Sequence, residues 1–280
     1  MKTYTRFIPT DISLRWYISL LKLRLFQGLQ YRTAAIAGVA TQFFWGAIMI
    51  MMFSAFYGDA EVVNGFTKQH MITYLWLQQA FLVFIALWLR DNELFELIQT
   101  GNIAYELCRP LNIYGYWYTK LLSVRLSSAL LRCFPILMVA LLIPGVYGLS
   151  LPASPLAALL FTIALLLGVM INVAISMFIY ISVFVTLSPM GSLLIFSVLG
   201  EFLSGLVIPI PLMPDWLGKC LMLLPFRYTG DLPFRIYSGN IETNAALFGI
   251  GIQILWLLFL PWLGNRLMNK ALKHLVVQGG

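Results

Sequence analysis

Charged residues are scarce in this sequence. They account for 10% of its 280 residues, whereas hydrophobic residues account for 60%. An ordinary soluble domain carries about 25% charged residues, so the composition excludes a water-soluble globular protein and predicts a polytopic membrane protein. The formal net charge of +7 does not indicate nucleic-acid binding, because the basic residues flank the apolar segments, as topology determinants do.

Residue types that build catalytic and metal sites are also few. Cys108, Cys133 and Cys220 lie far apart in the sequence, which excludes a disulfide framework and a cysteine metal motif. The two histidines, His70 and His274, flank apolar segments, and no cluster of His, Asp and Glu indicates an integral membrane enzyme. The phosphate-binding pattern G-x-x-x-x-G-K-S/T is absent. We therefore expect no catalysis, no metal site and no cofactor bound by this chain.

Long apolar runs predict an all-α protein with six transmembrane helices. The expected spans are residues 33–57, 71–89, 121–149, 156–186, a fifth that starts near residue 191, and 245–263. The fourth run, of about 30 residues, is longer than a bilayer core needs. We expect it to tilt, protrude or break, and Gly168 with Asn172 is a plausible position for a break.

Lysines and arginines are unevenly distributed around these spans. Most lie in the N-terminal segment, in the loop after the second span and in the C-terminal tail, so the positive-inside rule predicts that both termini are cytoplasmic. Within residues 1–32 a basic amphipathic helix is predicted, with Arg15 and Lys22 on one face and Trp16 and Leu20 towards another. We expect this helix to lie along the cytoplasmic membrane surface. The alternative is an extension of the first span.

Prolines interrupt the sequence between Leu193 and Asn240. This stretch begins as an apolar helix that contains Glu201, breaks in IPIPLMP, continues as DWLGKCLMLL and breaks again at LPFRYTGDLP. Short, proline-bounded apolar pieces are typical of segments that enter a bilayer without crossing it, and such backbone needs protein neighbours for its polar groups. Residues 209–244 are therefore predicted to form a re-entrant helical segment on the outer side.

Two sequence motifs resemble those of a known family. The run SG-x-x-x-P-x-P-x-x-P-x-W-L followed by LPFR, and the loop GNIAYELCRPLNIYGYWYTKLLSVR from Gly101 to Arg125, resemble permeases of the type-2 exporter class of ABC transporters. More specifically, they resemble the bacterial single-domain, six-span subgroup that pairs with a separate ATPase. This resemblance implies one permease domain over residues 1–280, with a cytoplasmic coupling loop at residues 90–120.

The resemblance implies the membrane-spanning subunit of an ATP-driven exporter in the bacterial plasma membrane. Its implied partners are two copies of a cytoplasmic ATPase, which bind ATP and magnesium, and a second permease chain in a homodimer or a hetero-pair. The sequence lacks the charge pattern of a wide polar lumen, so we expect an amphipathic or hydrophobic substrate. The alternative is a secondary transporter that uses Glu201 as an ion-coupling group at the bilayer midplane.

The loop between spans two and three is the expected docking site of the ATPase, because it is the long cytoplasmic connection. RDNELFELIQTG predicts a short helix that Gly101 ends. We expect Phe95 to anchor the apolar side of this helix in a groove of the ATPase, with charged residues at the rim; the alternatives are a merely connecting loop or docking by the N-terminal helix. The resemblance and this reasoning together assign ATPase coupling to Glu93, Phe95, Glu96, Gly101, Asn102, Tyr105, Glu106 and Arg109.

A few polar residues fall inside the apolar segments. Glu201 lies near the expected middle of the fifth span, where an ionisable group is a functional candidate, although a structural role is equally open. Arg132 is its possible partner, and Gln78 and Gln79 are expected to face other helices because an unpaired amide in lipid is costly. We assign these four residues to translocation or packing.

Overall fold

The computed structural model describes residues 14–30, 32–108 and 111–273, and this part of the chain is almost entirely helical. A single β-hairpin, formed by β1 (Val62–Val63) and β2 (Phe66–Thr67), is the sheet structure within these residues. The α-helices are α1 Leu14–Gly28, α2 Arg32–Tyr57, α3 Lys68–Ala80, α4 Leu82–Ile85, α5 Asn92–Gln99, α6 Ile103–Leu107, α7 Ile113–Leu142, α8 Pro155–Thr186, α9 Pro189–Leu203, α10 Asp215–Leu221, α11 Asp231–Ser238 and α12 Thr243–Lys273. Short 3₁₀ turns occur at Gly145–Tyr147, Ile210–Leu212 and Phe226–Thr229.

Four of the described helices are long and apolar enough to cross a membrane. They are the part of α2 from Ile36 to Tyr57, and α7, α8 and α12 over their whole lengths. Helix α9 is apolar but shorter, with 15 residues. The predicted all-α polytopic class is therefore confirmed, with the four long helices as its candidate membrane spans.

The predicted second span is not one continuous helix. It is divided into α3 and α4, with Phe81 between them, and the chain turns to extended backbone at Ala86. The Arg125 guanidinium donates to the carbonyl oxygens of Val83 (2.7 Å) and Ala86 (2.8 Å). The Asn172 amide donates to the carbonyl oxygen of Phe84 (2.7 Å). Side chains from α7 and α8 thus satisfy buried carbonyls near the helix break, as an apolar environment requires.

The break expected in the fourth span is absent, because α8 is one helix of 32 residues. Gly168 instead allows the backbone of the Phe226–Thr229 turn to pack closely against α8. A Cβ atom there would lie 2.9 Å from the carbonyl oxygen of Thr229 and 3.0 Å from that of Tyr228. The Gln253 amide of α12 donates to the carbonyl oxygens of Ala164 and Tyr228, both at 2.8 Å. Helix α8 is thereby held between α12 and the 3₁₀ turn.

Helix α1 packs lengthwise along the first part of α7. Tyr17 of α1 lies against Gly115 of α7, and Gly28 of α1 lies against Ser127 of α7. The two contacts are eleven residues apart on α1 and twelve apart on α7, so the two helices run side by side in the same direction. The helix is separate from α2, which begins at Arg32. Helix α1 therefore follows the axis of this part of α7, and its position along the cytoplasmic membrane surface stays a prediction. Trp16 packs on the α7 side with its ring 6.2 Å from that of Tyr116.

The segment between α9 and α12 folds back into the helical core. After α9, Gly205 adopts a φ of +80°, a left-handed conformation that suits glycine. The 3₁₀ turn Phe226–Thr229 meets α8 at Gly168, about 20 Å from the start of that helix at 1.5 Å per residue. Helix α11 then returns along α8 until the carbonyl oxygen of Tyr237 accepts a hydrogen bond from Ala153 N–H at 3.1 Å.

The two largest groups of buried apolar side chains hold most of these elements together. The larger group joins α2, α3, α7, α8, α11 and α12, and includes the edge-to-face pair of Tyr74 and Phe234, with centroids 5.4 Å apart. The second lies where α5 meets α7 and α8, around the buried side chains of Trp117 and Tyr180. The second group positions the candidate site.

Candidate functional site

The start of the loop after α4 is fixed by an ion pair. Asp91 caps α5, since its carboxylate accepts a hydrogen bond from Leu94 N–H (3.4 Å). The Lys120 ammonium lies 2.8 Å from the Asp91 carboxylate and 2.6 Å from the Glu93 carboxylate. The hydrogen bond and charge of Lys120 lower the pKa of Glu93 below its usual range. The loop therefore begins at a fixed point on α7.

The apolar side of α5 is buried against this chain itself. Leu94, Phe95 and Ile98 are each at most 5% exposed. Phe95 stacks on Tyr180 of α8 with ring centroids 4.5 Å apart, and the Tyr180 hydroxyl accepts a hydrogen bond from Asp91 N–H (2.7 Å). The expectation that Phe95 inserts into a partner is therefore wrong. The sequence showed that this helix has an apolar face, and α8 already covers that face.

The opposite side of the α5–α6 pair is exposed. Glu96 and Asn102 are open to solvent, and Tyr105 is 76% exposed. Gly101 follows α5 with a φ of +76°, which confirms the predicted helix end. Glu106 is tied inward, because its carboxylate accepts a hydrogen bond from the Trp117 indole N–H at 2.6 Å. Arg109, the remaining predicted coupling residue, lies outside the described residues.

Gln78 and Gln79 face the protein interior, as predicted. The Gln78 amide donates to the carbonyl oxygen of Gly205 at 2.6 Å, which ties α3 to the chain just after α9. Gln79 is 6% exposed, and its Cγ lies 3.0 Å from where a Cβ on Gly46 of α2 would be. These contacts are packing contacts, and a role in translocation stays a prediction.

Glu201 and Arg132 are not brought together as an ion pair. Glu201 is half-buried in the last turn of α9, and within the described ranges no ion pair involves it. Arg132 lies on α7 with its guanidinium carbon 2.7 Å from the position of a Cβ on Gly38 of α2. The sequence placed both residues inside the apolar region but could not show which helix each one faces.

Arg132 lines a cleft of about 300 Å³ beside α7. We call it the arginine cleft. Its polar lining consists of Arg90, Asp91, Asn92, Arg125, Ser128 and Arg132, and its apolar lining consists of Val83, Leu89, Leu121 and Val124. Arg125, Ser128 and Arg132 lie three to four residues apart along α7 and line the cleft together. The cleft extends from the ion-paired end of the loop towards the middle of α7.

A second charged group, which sequence reasoning missed, surrounds Asp231. This carboxylate is fully buried, 3.1 Å from Arg227 Nε and 3.7 Å from an Arg235 Nη atom. The Tyr74 hydroxyl donates to it at 3.4 Å. The tetrapeptide LPFR occurs twice, ending at Arg227 and at Arg235, with Asp231 midway between them. That repeat was the available signal, since residues four apart share one face of a helix.

A neighbouring cavity of about 190 Å³ is lined by charges of both signs, with Asp215 and Lys219 beside Arg227 and Arg235. Among the described residues, no group of His, Cys, Asp and Glu is arranged to hold a metal ion.

Comparison with known proteins gives one family. The sequence matches the family described as ABC-2 family transporter protein over residues 43–279, which is most of the chain and includes the α5–α6 loop, the arginine cleft and the Asp231 group. No curated protein matched the chain.

Proposed function

The chain belongs to the ABC-2 transporter family, and on this premise we propose that it is the membrane-spanning subunit of an ATP-driven exporter. ATP and magnesium bind to a separate cytoplasmic ATPase in this proposal, and the present chain performs no catalysis. Two copies of the ATPase act on a pair of permease chains, which are either identical or different. The pair opens alternately to the cytoplasm and to the outside.

This proposal rests on how the α5–α6 pair is attached to the rest of the chain. Its apolar side is buried on α8 through Phe95 and Tyr180, and its start is fixed to α7 through Lys120. A force applied to the exposed side is therefore transmitted directly to two of the long apolar helices. An ATPase-driven transporter needs such a connection, whereas a merely connecting loop does not.

The topology we propose has six spans in the bacterial plasma membrane, with both termini in the cytoplasm. The broken pair α3–α4 forms the second span and α9 the fifth, and residues 209–244 form the outer re-entrant segment. The return of α11 along α8, from Gly168 to Ala153, supports this arrangement. The substrate is amphipathic or hydrophobic. Glu201 has no charged partner among the described residues, so no observation favours the secondary-transporter alternative.

The docking surface in this proposal is the exposed side of α5–α6, and it includes Glu96, Asn102 and Tyr105. The double variant Glu96→Lys/Tyr105→Ala reverses one charge and removes one exposed ring without touching the buried side. We expect it to lose at least about nine-tenths of the co-purifying cognate ATPase, a change of roughly 1.4 kcal/mol or more in binding free energy. Its free energy of unfolding should stay within about 1 kcal/mol of the wild-type value, because exposed substitutions usually have small effects on stability.

A matched control makes the same two kinds of change at exposed positions outside the α5–α6 pair, as Glu61→Lys/Tyr147→Ala. Both residues are exposed, and we expect this control to keep the ATPase. Equal recovery of the ATPase with both double variants would show that the docking surface is elsewhere. The N-terminal helix α1 would then be the next surface to test.

A further inference from the structure

The arginine cleft has more positive charge than the surrounding protein neutralises. Three guanidinium groups line it, from Arg90, Arg125 and Arg132. The one carboxylate in its lining is Asp91, which is already paired with Lys120 at 2.8 Å. Within the described ranges, none of the three arginines forms an ion pair. The cleft therefore has a net positive charge.

Each arginine reaches the cleft in a different way. Arg125 is 3% exposed, and the carbonyl oxygens of Val83 and Ala86 and the Ser176 hydroxyl fix it in place. These neutral partners orient its charge but do not cancel it. Arg132 is half-buried between α7 and α2, and Arg90 is exposed at the loop end. The three charges thus mark a path from the protein's surface into the helical bundle.

The position of Arg132 argues against a simple interfacial role. Long basic side chains near a membrane surface usually extend their charged ends towards water. Arg132 instead lies twelve residues beyond Lys120 along α7, about 18 Å at 1.5 Å per residue. Its guanidinium is packed against Gly38. A charge held at that depth is costly unless a partner is provided.

A second polar group on α2 lies one helical turn from the Gly38 position that Arg132 contacts. Gln42 is one helical turn beyond Gly38 on the same face of α2, and it is 4% exposed. Neither its amide nitrogen nor its amide oxygen has a hydrogen-bond partner in the part of the chain that the structure describes. Buried amides are normally paired, so this unsatisfied group also indicates a missing polar partner.

The apolar lining defines the rest of the ligand. Val83, Leu89, Leu121 and Val124 lie beside the arginines, so the cleft presents apolar and cationic surfaces together. Guanidinium groups match the oxygens of phosphate groups in a forked geometry. A volume of about 300 Å³ holds a head group but not two acyl chains, so the chains must extend beyond the cleft.

We infer that the arginine cleft binds the phosphate group of an anionic lipid or lipid-like amphiphile that enters from the cytoplasmic leaflet. This inference rests on the proposed function, because it names the chemical class of the exported substrate. Arg132 is the deep contact and Arg90 the outer contact, and Arg125 supplies fixed positive charge. The acyl chains lie against the apolar lining and the adjoining bilayer.

The test measures lipid binding by the purified full-length chain in nanodiscs of phosphatidylcholine. Labelled phosphatidylglycerol is the probe, and the variant is the double substitution Arg90→Gln/Arg132→Gln. We expect its affinity for phosphatidylglycerol to fall at least about tenfold, since two charge-assisted contacts are lost. Arg15→Gln, an exposed arginine outside the cleft, is the matched control and should bind like wild type.

A second variant keeps the charges and blocks the space. Ser128→Leu adds apolar volume to the lining while all three arginines remain, and we expect it to weaken binding of phosphatidylglycerol as well. This variant tests the cleft even if the double arginine variant fails to fold. Wild-type affinity in Ser128→Leu, or in a folded double variant, would overturn the inference.

Two competitors separate the possible sources of the phosphate group. Diacylglycerol has the same chains without phosphate, and we expect it not to displace the probe. Inorganic phosphate at millimolar concentration should also fail to displace it; displacement would assign the cleft to a free anion and overturn the lipid inference. Because the binding assay contains no ATPase, loss of the lipid inference leaves ATPase co-purification, and thus the proposed function, unaffected.

Discussion

Arg227 and Arg235 both contact the buried carboxylate of Asp231, whereas within the described residues Arg90 and Arg132 contact no carboxylate at all. The two regions use the same side chain in different ways. Around Asp231 both arginines have a carboxylate partner inside the protein, so that group stabilises the fold. In the arginine cleft the charges remain available, so that group can bind a ligand. The difference predicts that the first group controls stability and the second controls binding.

The largest effect is expected from Asp231→Asn. This change removes the carboxylate and leaves the buried arginine charges uncompensated, which typically costs about 3–5 kcal/mol. Thermal unfolding of the purified protein should show a correspondingly lower midpoint. Asp215→Asn is the matched control, because Asp215 is exposed in the same cavity lining. Wild-type stability in Asp231→Asn would mean that the two regions do not differ as we describe.

Arg125→Met tests an arginine that both lines the ligand-binding cleft and stabilises the fold. It lines the arginine cleft, but its hydrogen bonds to the carbonyls of Val83 and Ala86 are structural. Leaving two buried carbonyls unsatisfied should cost roughly 2–4 kcal/mol, whereas Arg132→Gln should change stability by less than about 1 kcal/mol. Chemical denaturation of both variants measures the contrast. Equal loss of stability in the two variants would refute the distinction between a structural and a ligand-binding arginine.

Gly168→Ala disturbs the Asp231 group from its backbone side. The added methyl group would meet the carbonyl oxygens of Tyr228 and Thr229, which are in the turn that carries Arg227. Overpacking of this kind typically costs about 1–3 kcal/mol. Gly251→Ala in α12 is the control, because nothing lies within 4 Å of its Cβ position, and it should be neutral or slightly stabilising. The unfolding midpoint should fall in Gly168→Ala but not in Gly251→Ala, and equal midpoints in the two variants would contradict this prediction.

The smallest effect is expected from Glu93→Gln, which removes an exposed member of the Lys120 ion pairs. Such surface pairs contribute at most about 1 kcal/mol. Because Lys120 lowers the pKa of Glu93, the stabilisation is present above the ordinary pKa of about 4.5. It is lost as the pH falls through the lowered folded-state pKa. The stability difference between wild type and variant should therefore be constant from pH 7 to pH 5 and disappear in stronger acid.

The parts of the fold that the sequence predicted depend on local signals. The α5 helix and its end at Gly101 follow from a capping residue, an amphipathic pattern and a glycine within one short segment. The apolar face of α5 was also predictable, but its partner was not. Amphipathicity indicates that a face is covered, and only the fold shows that Tyr180 covers it.

The parts that were missed depend on residues far apart in the sequence. Nothing between residues 71 and 89 is a proline or a glycine, so the break between α3 and α4 had no local signal. Its hydrogen-bond donors, Arg125 and Asn172, come from α7 and α8. The expected break at Gly168 was wrong for a related reason, because a helical glycine can serve a close contact instead of a bend. Asp231 is a different case, because each of its partners is only four residues away; the repeated LPFR was a local signal, and it was not read as one charged group.

The contact of Arg125 with the carbonyls of Val83 and Ala86 has a consequence for the evolution of this chain. The interrupted helix and the arginine require each other, because each alone leaves buried polar groups unsatisfied. We expect them to be inherited as a unit. A lineage that replaces Arg125 with an apolar residue should also acquire a continuous helix through positions 81–89, and intermediates with only one change should be rare.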